Sequence, residues 1–298
     1  MSVAVARGTR LSSTVVDYVA LTKPRVVSLL VVTGVCGYLA GAAGHVRIGV
    51  LLAVAGGGAL AAGGANALNC AFDRDLDAIM VRTRNRPIPG GRVSVAQAVL
   101  LGVAMNVAAG FWLDRSANLL AAGLVLSGTA WYLLVYTAWL KRRSTQNIVI
   151  GGAAGCFPPL VGWAAATGTL DATALTLAAV IFLWTPAHFW ALATMLRNDY
   201  RRAGVPMLPA VVSLRRTANW SFAYAVATLV SSLTPVLWGG VGAVYAVSAA
   251  ALGGAFVVRA NGFRRRADVE SARGLFRFSL VYLAALFLAL VVDRTIGA

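Results

Sequence analysis

Asn69, Asp73 and Asp77 stand four residues apart at the end of a long apolar run. On a helix that spacing puts all three side chains on one face. The chain has only 10 acidic residues, and Asp73, Asp75 and Asp77 all fall in this stretch. Amide and carboxylate oxygens suit Mg²⁺, a hard cation that keeps waters and takes phosphate oxygens as further ligands. The segment that follows, Arg82-Thr83-Arg84-Asn85-Arg86-Pro87, is basic. Arg82, Arg84 and Arg86 could grip phosphate oxygens through forked hydrogen bonds. The pattern therefore points to a site for a metal-bound diphosphate. The plainer alternative is that these acids end a helix at a polar surface. It leaves the regular spacing unexplained, and Asn69 lies inside the apolar run, where a polar side chain needs a reason.

Three other pieces carry chemistry. Asp199 opens a second basic loop, Arg197-Asn198-Asp199-Tyr200-Arg201-Arg202-Ala203-Gly204-Val205-Pro206-Met207-Leu208-Pro209, in which Gly204, Pro206 and Pro209 break the helix. His188 lies in an apolar run between Trp184 and Trp190. A neutral imidazole there can ligate haem iron, act as a base or sit as a hydrogen-bonded core residue. Lys141-Arg142-Arg143 follows another apolar run and could add a phosphate contact or serve as a topology anchor. Lys23-Pro24-Arg25 allows the same two readings, with Pro24 suited to the first turn of a helix.

The elements that position these residues are apolar helices. The chain is 59% hydrophobic and 12% charged, against roughly 25% charged residues in soluble domains. Charge-free stretches run 26–46, 48–72, 93–113, 116–140, 144–170 and 172–196, each long enough to span a bilayer at about 20 residues per helix. Stretch 217–258 is long enough for two spans, with a turn expected at Pro235, Gly239 and Gly240. Stretch 278–292 is shorter and spans if Arg277 and Arg294 snorkel to the interfaces. The expected fold is an all-α integral membrane protein, with nine transmembrane helices bundled around a central cavity. The N-terminus is expected in the cytoplasm. On that topology the inner segments hold 23 of the 26 lysines and arginines, a strong positive-inside bias. It accounts for most of the +16 net charge, together with attraction to anionic lipid. Basic residues spread over five loops argue against a nucleic-acid partner. Cys36, Cys70 and Cys156 show neither disulfide nor zinc spacing and read as small core residues. The chain is read as one transmembrane domain over 1–298, with a flexible basic segment at 1–20 and catalytic inner loops at about 69–92 and 197–216. Each long loop follows an even-numbered span and carries aspartate, a weak internal repeat that could set two acidic helix ends across one cavity.

Asn69-xxx-Asp73-xxx-Asp77 with Met80-x-Arg82-Thr83-x-x-Arg86-Pro87 resembles the first aspartate motif of the intramembrane, UbiA-type prenyltransferases. Four further segments bring it close to the haem-farnesylating branch of that family: Lys141-Arg142-Arg143 with Asn147 to Gly152, Pro158-Pro159 with Gly162-Trp163, His188-Phe189-Trp190, and Asp199-Tyr200 with Ala203 to Pro209. The likeness runs from about residue 17 to the last span. Cys70 follows Asn69 where the wider family often has Asp, and Ala203 stands where its second motif usually has a further Asp. Both departures resemble the haem branch.

The resemblance implies that a farnesyl group passes from farnesyl diphosphate to the 2-vinyl group of haem B, giving haem O for terminal oxidases directly or by way of haem A. It implies Mg²⁺ as cofactor and a metal set of Asn69, Asp73, Asp77 and Asp199, the same residues being catalytic. Arg82, Arg86, Lys141, Arg142, Arg197, His188 and Tyr200 are the implied substrate-binding residues. Haem A synthase is an implied partner, and a bacterial inner membrane with the active-site loops facing the cytoplasm the implied location. The nearest alternative is a related prenyltransferase with an aromatic or quinone-precursor acceptor. A transporter fits less well, because the ionisable residues gather at one surface and not at mid-depth.

Overall fold

The computed structural model describes residues 14–297. Nine helices among these residues are long and apolar enough to cross a membrane: α1 (Pro24–Ala42), α2 (Ile48–Phe72), α3 (Val95–Ser116), α4 (Leu119–Leu140), α5 (Asn147–Thr167), α6 (Ala172–Met195), α7 (Leu214–Trp238), α8 (Ala243–Arg266) and α9 (Val269–Ile296). Each span packs on the next, and α9 returns to α1. Two cross-packings, α1 on α5 and α6 on α9, divide the ring into two sub-bundles.

Local chemistry sets the helix starts. Ser94 and Gln97 form a reciprocal capping box at α3. Asn118, Asp171, Ser213 and Asp268 each accept a backbone N–H at the start of α4, α6, α7 and α9. The start of α8 has no cap of its own. Asp293, near the end of α9, accepts from Gly242 N at 2.6 Å and Tyr245 N at 3.1 Å instead. α1 and α5 approach backbone to backbone. A Cβ at Gly37 would meet the Pro159 carbonyl, and one at Gly162 would meet Gly34 O and Tyr38 N. Small residues of this kind let apolar helices approach backbone to backbone where lipid offers no hydrophobic drive.

Several expected boundaries shift. The first span stops at Ala42 because Ala43 and Gly44 take left-handed backbone angles, φ 43° and 85°. The last span is 28 residues long and begins at Val269, so Glu270, Arg273 and Arg277 are helical. A charge-free run marks the lipid-facing portion of a helix, and the Asp268 cap starts this one well before that portion. For the same reason α7 and α8 take in Arg215, Arg216, Arg259 and the arginines at 264–266. The turn between them falls at Gly239, φ 68°. Residues 14–22 are helical, so 14–20 depart from the flexible segment expected at 1–20; the earlier part of that segment lies outside the described residues. Cys70 and Cys156 are buried, Cys36 is half-buried, and all three are free thiols.

Two features matter for function. Both α2 and α6 are followed by a six-residue helix, Arg74–Ile79 and Arg197–Arg202. The second half of α4, Trp131–Leu140, is a π-helix. The two short helices rest on one apolar floor that includes Leu76, Met80, Ile148, Trp190, Tyr200 and Met207. The two polar loops therefore meet at the same end of the bundle.

Candidate active site

Asn69 lies in the last turn of α2, Asp73 caps that helix, and Asp77 lies in the short helix beyond. The helical register carries through the break: Asp73 N donates to Asn69 O at 2.9 Å and Asp77 N to Asp73 O at 2.8 Å. The three side chains therefore stack as the spacing expects. All three are buried, Asp73 at 1% exposure.

Burying two carboxylates is unfavourable unless cations and donors surround them. Lys141, directly after the π stretch, places Nζ 2.5 Å from Asp73 Oδ2. Arg86 donates from one terminal nitrogen to both oxygens of Asp77, at 2.8 and 2.7 Å. Lys23 donates to Asn69 Oδ1 at 2.8 Å. Asn69 Nδ2 in turn donates to Asp73 Oδ2 at 2.8 Å and to Thr137 Oγ1 at 3.1 Å. Burial pulls the Lys23 ammonium down to about 8, with the nearby Arg86 and Lys141 charges acting the same way. Lys23 also holds left-handed backbone angles, φ 53° and ψ 63°, immediately before Pro24. A non-glycine residue there is strained by roughly 1–2 kcal/mol, and such strain gathers at functional positions.

Asp73 Oδ1 is sealed from solvent and has no hydrogen-bond partner among the described residues; Arg142 Nη2 lies 3.9 Å from it. Arg142 instead forks onto the exposed Asp75 at 2.6 and 2.7 Å and holds that carboxyl down at about 2. An unpaired carboxylate oxygen at the centre of a buried polar cluster is the kind of atom a divalent cation takes as ligand. Among the described residues no three His, Cys, Asp or Glu side chains gather around one point. A metal here would therefore complete its shell with amide, water and phosphate oxygens, the habit of Mg²⁺.

The structure separates the remaining predicted residues. Tyr200 is buried on the shared floor. Burial pushes its phenol up to about 12; Tyr136 and Asp199 add to the rise, and the nearby Arg82 and Lys141 charges oppose it. That places the second loop against the first. Arg82 is exposed. Asp199 pairs with Arg202 at 2.6 Å and not with the Asp73 cluster. Arg197 donates to Val212 O at 3.3 Å, and its Nε is buried without a partner. His188 is half-buried in α6, stacked on Trp184 with ring centres 4.2 Å apart, and 4.9 Å from the Phe276 ring. Trp184 and Trp190 are both buried, so neither sits at the bundle exterior. Reasoning from sequence did not find Thr137 or Tyr136. Tyr136 stacks on Tyr132 and lies 5.9 Å below the Lys141 ammonium. Their placement depends on the π geometry, in which Lys141 N bonds to Tyr136 O five residues back; nothing in the composition of that run signals it.

Nine apolar spans with a buried acid–cation cluster where two polar loops meet define a polytopic membrane protein with its polar site at one end of the bundle. The chain belongs to the UbiA prenyltransferase family, which it matches over residues 30–290. It is 50% identical over 293 residues to a protoheme IX farnesyltransferase of Thermus thermophilus, covering 98% of this chain and 48% of that protein. The chain thus spans about half the length of that relative. It is 47% identical to the protoheme IX farnesyltransferase of Gloeobacter violaceus, covering 95% of this chain and 93% of that one. A UbiA homolog from Archaeoglobus fulgidus, solved with DMAPP and Mg²⁺ bound, shares the fold at a TM-score of 0.70 and 15% identity, over 93% of this chain and 99% of that chain.

Proposed function

We propose that this chain transfers the farnesyl group of farnesyl diphosphate to the 2-vinyl group of haem B. The observation that carries the reading is the buried cluster itself. The cluster holds two carboxylates and three cations: Lys141 pairs with Asp73, Arg86 with Asp77, and Lys23 donates to the Asn69 amide beside them. A buried site with excess positive charge is built for an anion, and a diphosphate supplies one. The haem acceptor rests on the near-half identity to proteins named protoheme IX farnesyltransferase.

Asn69, Asp73 and Asp77 would hold Mg²⁺, which when bound would neutralise diphosphate oxygens as the carbon–oxygen bond breaks, whereas Asp199, paired with Arg202, stands outside that set. Lys141, Lys23 and Arg86 hold the same charge in place and add their donors to it. Arg82, exposed and without a carboxylate partner among the described residues, and Arg142 bind the outer phosphate oxygens. Arg197, Tyr200 and His188 serve the acceptor side. The farnesyl C1–oxygen bond breaks and diphosphate leaves. The vinyl π electrons then form the new carbon–carbon bond, and water adds to the neighbouring carbon with loss of a proton, giving haem O. The apolar walls of the bundle keep other water away until that bond has formed. The product serves oxidases directly or passes to haem A synthase. The whole chain acts as one transmembrane domain, with both loops on the cytoplasmic side of a bacterial inner membrane, as the distribution of lysine and arginine favours.

The test is expression in a strain that lacks haem O, followed by analysis of the extracted haems. Haem O in the extract is the expected result. Haem B alone, from membranes that contain the protein, defeats the proposal. Prenylation of 4-hydroxybenzoate by the same membranes supports the aromatic-acceptor alternative.

A further inference from the structure

His188 and Ser279 are 91 residues apart, on α6 and α9, and His188 Nδ1 lies 2.7 Å from Ser279 Oγ. The direction of that bond can be deduced. The Ser279 hydroxyl donates its one hydrogen to Phe276 O at 2.6 Å, so its oxygen can only accept from the imidazole. In a neutral ring the proton is then on Nδ1, and Nε2 carries a bare lone pair. Among the described residues Nε2 has no hydrogen-bond partner, and unlike Asp73 Oδ1 it is not sealed from solvent.

The ring has little freedom to turn. Trp184 stacks on it with ring centres 4.2 Å apart, and the Phe276 ring packs 4.9 Å away, tilted by 32°. Trp184 is itself held by its indole N–H, which donates to Ser279 O at 3.0 Å. Ser279 therefore anchors both the imidazole and the indole that flanks it, and it is fully buried. A histidine that merely filled space would not need its tautomer chosen by one span and its plane fixed by two rings.

We infer that Ser279 is a positioning residue that sets His188 in the Nδ1–H tautomer, so that Nε2 is presented as a ligand to the iron of a haem acceptor. The inference rests on the proposed function for the identity of the acceptor. His188 lies seven residues before the end of α6 at Met195, roughly 10 Å along the axis from the loop that carries Asp199. A porphyrin with its propionates at the basic loops places its iron at about that depth. A hydrogen bond to the far nitrogen of a metal-bound imidazole fixes its orientation and raises its basicity.

Two measurements test this. The chain has two histidines, so ¹⁵N-histidine labelling with a His45→Gln control resolves the His188 ring directly. The expected spectrum is Nδ1–H with an unprotonated Nε2, and an Nε2–H tautomer overturns the inference. The second measurement is haem B titration of the purified full chain with resonance Raman detection in the ferrous state. Wild type should give an iron–histidine band. His188→Ala should lose it and regain it with added imidazole. Ser279→Ala should keep the band at lower frequency with haem affinity down about tenfold or more, and Ser279→Thr should restore both. An unchanged band in His188→Ala or in Ser279→Ala, or no haem uptake by wild type, overturns it. Should Ser279→Ala fail to fold, the labelling result and His188→Ala decide. The two readings fail separately: haem bound through His188 with no haem O formed sinks the function alone, and haem O formed with an unchanged band in His188→Ala sinks this inference alone.

Discussion

Lys141 crosses from the end of α4 to place its ammonium 2.5 Å from Asp73 Oδ2, while the other oxygen of the same carboxylate has no hydrogen-bond partner among the described residues. The pair is nearly closed to solvent, with side-chain exposures of 14% and 1%. Removing one member of a buried pair leaves an uncompensated charge, which typically destabilises by about 3–5 kcal/mol. Lys141→Met should therefore lower the melting temperature in detergent markedly, and Asp73→Asn added to it should recover much of the loss. A Lys141→Met protein as stable as wild type contradicts the pairing.

Asp73→Asn alone keeps the shape of the cluster but removes the charge that would face a metal. Haem O formation should fall at least about 100-fold, the scale seen when one preorganised electrostatic group is lost, with the protein still present in the membrane. Treating wild type with EDTA should abolish turnover, and excess Mg²⁺ should restore it. Turnover that survives chelation rules out the metal.

Lys23 separates backbone strain from side-chain charge. Lys23→Met keeps the left-handed backbone without the ammonium, and Lys23→Gly removes both. Glycine tolerates that conformation, so Lys23→Gly should melt higher than Lys23→Met by the equivalent of about 1 kcal/mol. Both should raise the apparent KM for farnesyl diphosphate. Equal melting temperatures argue against strain at this position.

Asp75 is the contrasting acid. It sits two residues from Asp73, but its side chain is 57% exposed and its partner Arg142 is exposed too. Arg142 lowers its pKa to about 2. A depressed carboxyl contributes stability above its unfolded value near 3.9, and that contribution is lost as pH falls from there toward 2. Exposure limits it to well under about 1 kcal/mol. Asp75→Asn should leave the melting temperature within a degree or two above pH 5 and should impair turnover far less than Asp73→Asn.

Gly162 tests the contact of α5 with α1. A methyl group there would run into Gly34 O and Tyr38 N of α1, both backbone atoms that cannot swing aside. Gly162→Ala should cost at least about 2 kcal/mol and reduce the yield of folded protein. Gly254→Ala, in open space on α8, should be neutral or slightly stabilising in the same assay.

Much of this was visible in the chain. Charge-free runs located nine spans because the bilayer excludes charge from any sequence that crosses it. They failed at the ends, as at α9, because a helix continues past the lipid once Asp268 has capped it. The ladder of Asn69, Asp73 and Asp77 was legible because helical spacing is local. The cations that neutralise it were only partly legible. Arg86 is nine residues from Asp77 in the chain, but Lys23 reaches Asn69 over 46 residues and Lys141 reaches Asp73 over 68. No local pattern encodes such meetings. The Ser279 contact to His188 joins α9 to α6 over 91 residues and is invisible for the same reason. Asp199, singled out by its loop, pairs with Arg202 and not with the first cluster.

The π stretch of α4 has a consequence for how this protein can change. Thr137 and Lys141 reach Asn69 and Asp73 from a helix wound more loosely than its neighbours. Inserting or deleting a residue between Trp131 and Leu140 would change both the winding and the length of that stretch, and with them the reach of Thr137 and Lys141 to Asn69 and Asp73. In that segment residue number is under tighter constraint than residue identity. Drift should therefore exchange the apolar side chains there freely while leaving the count untouched.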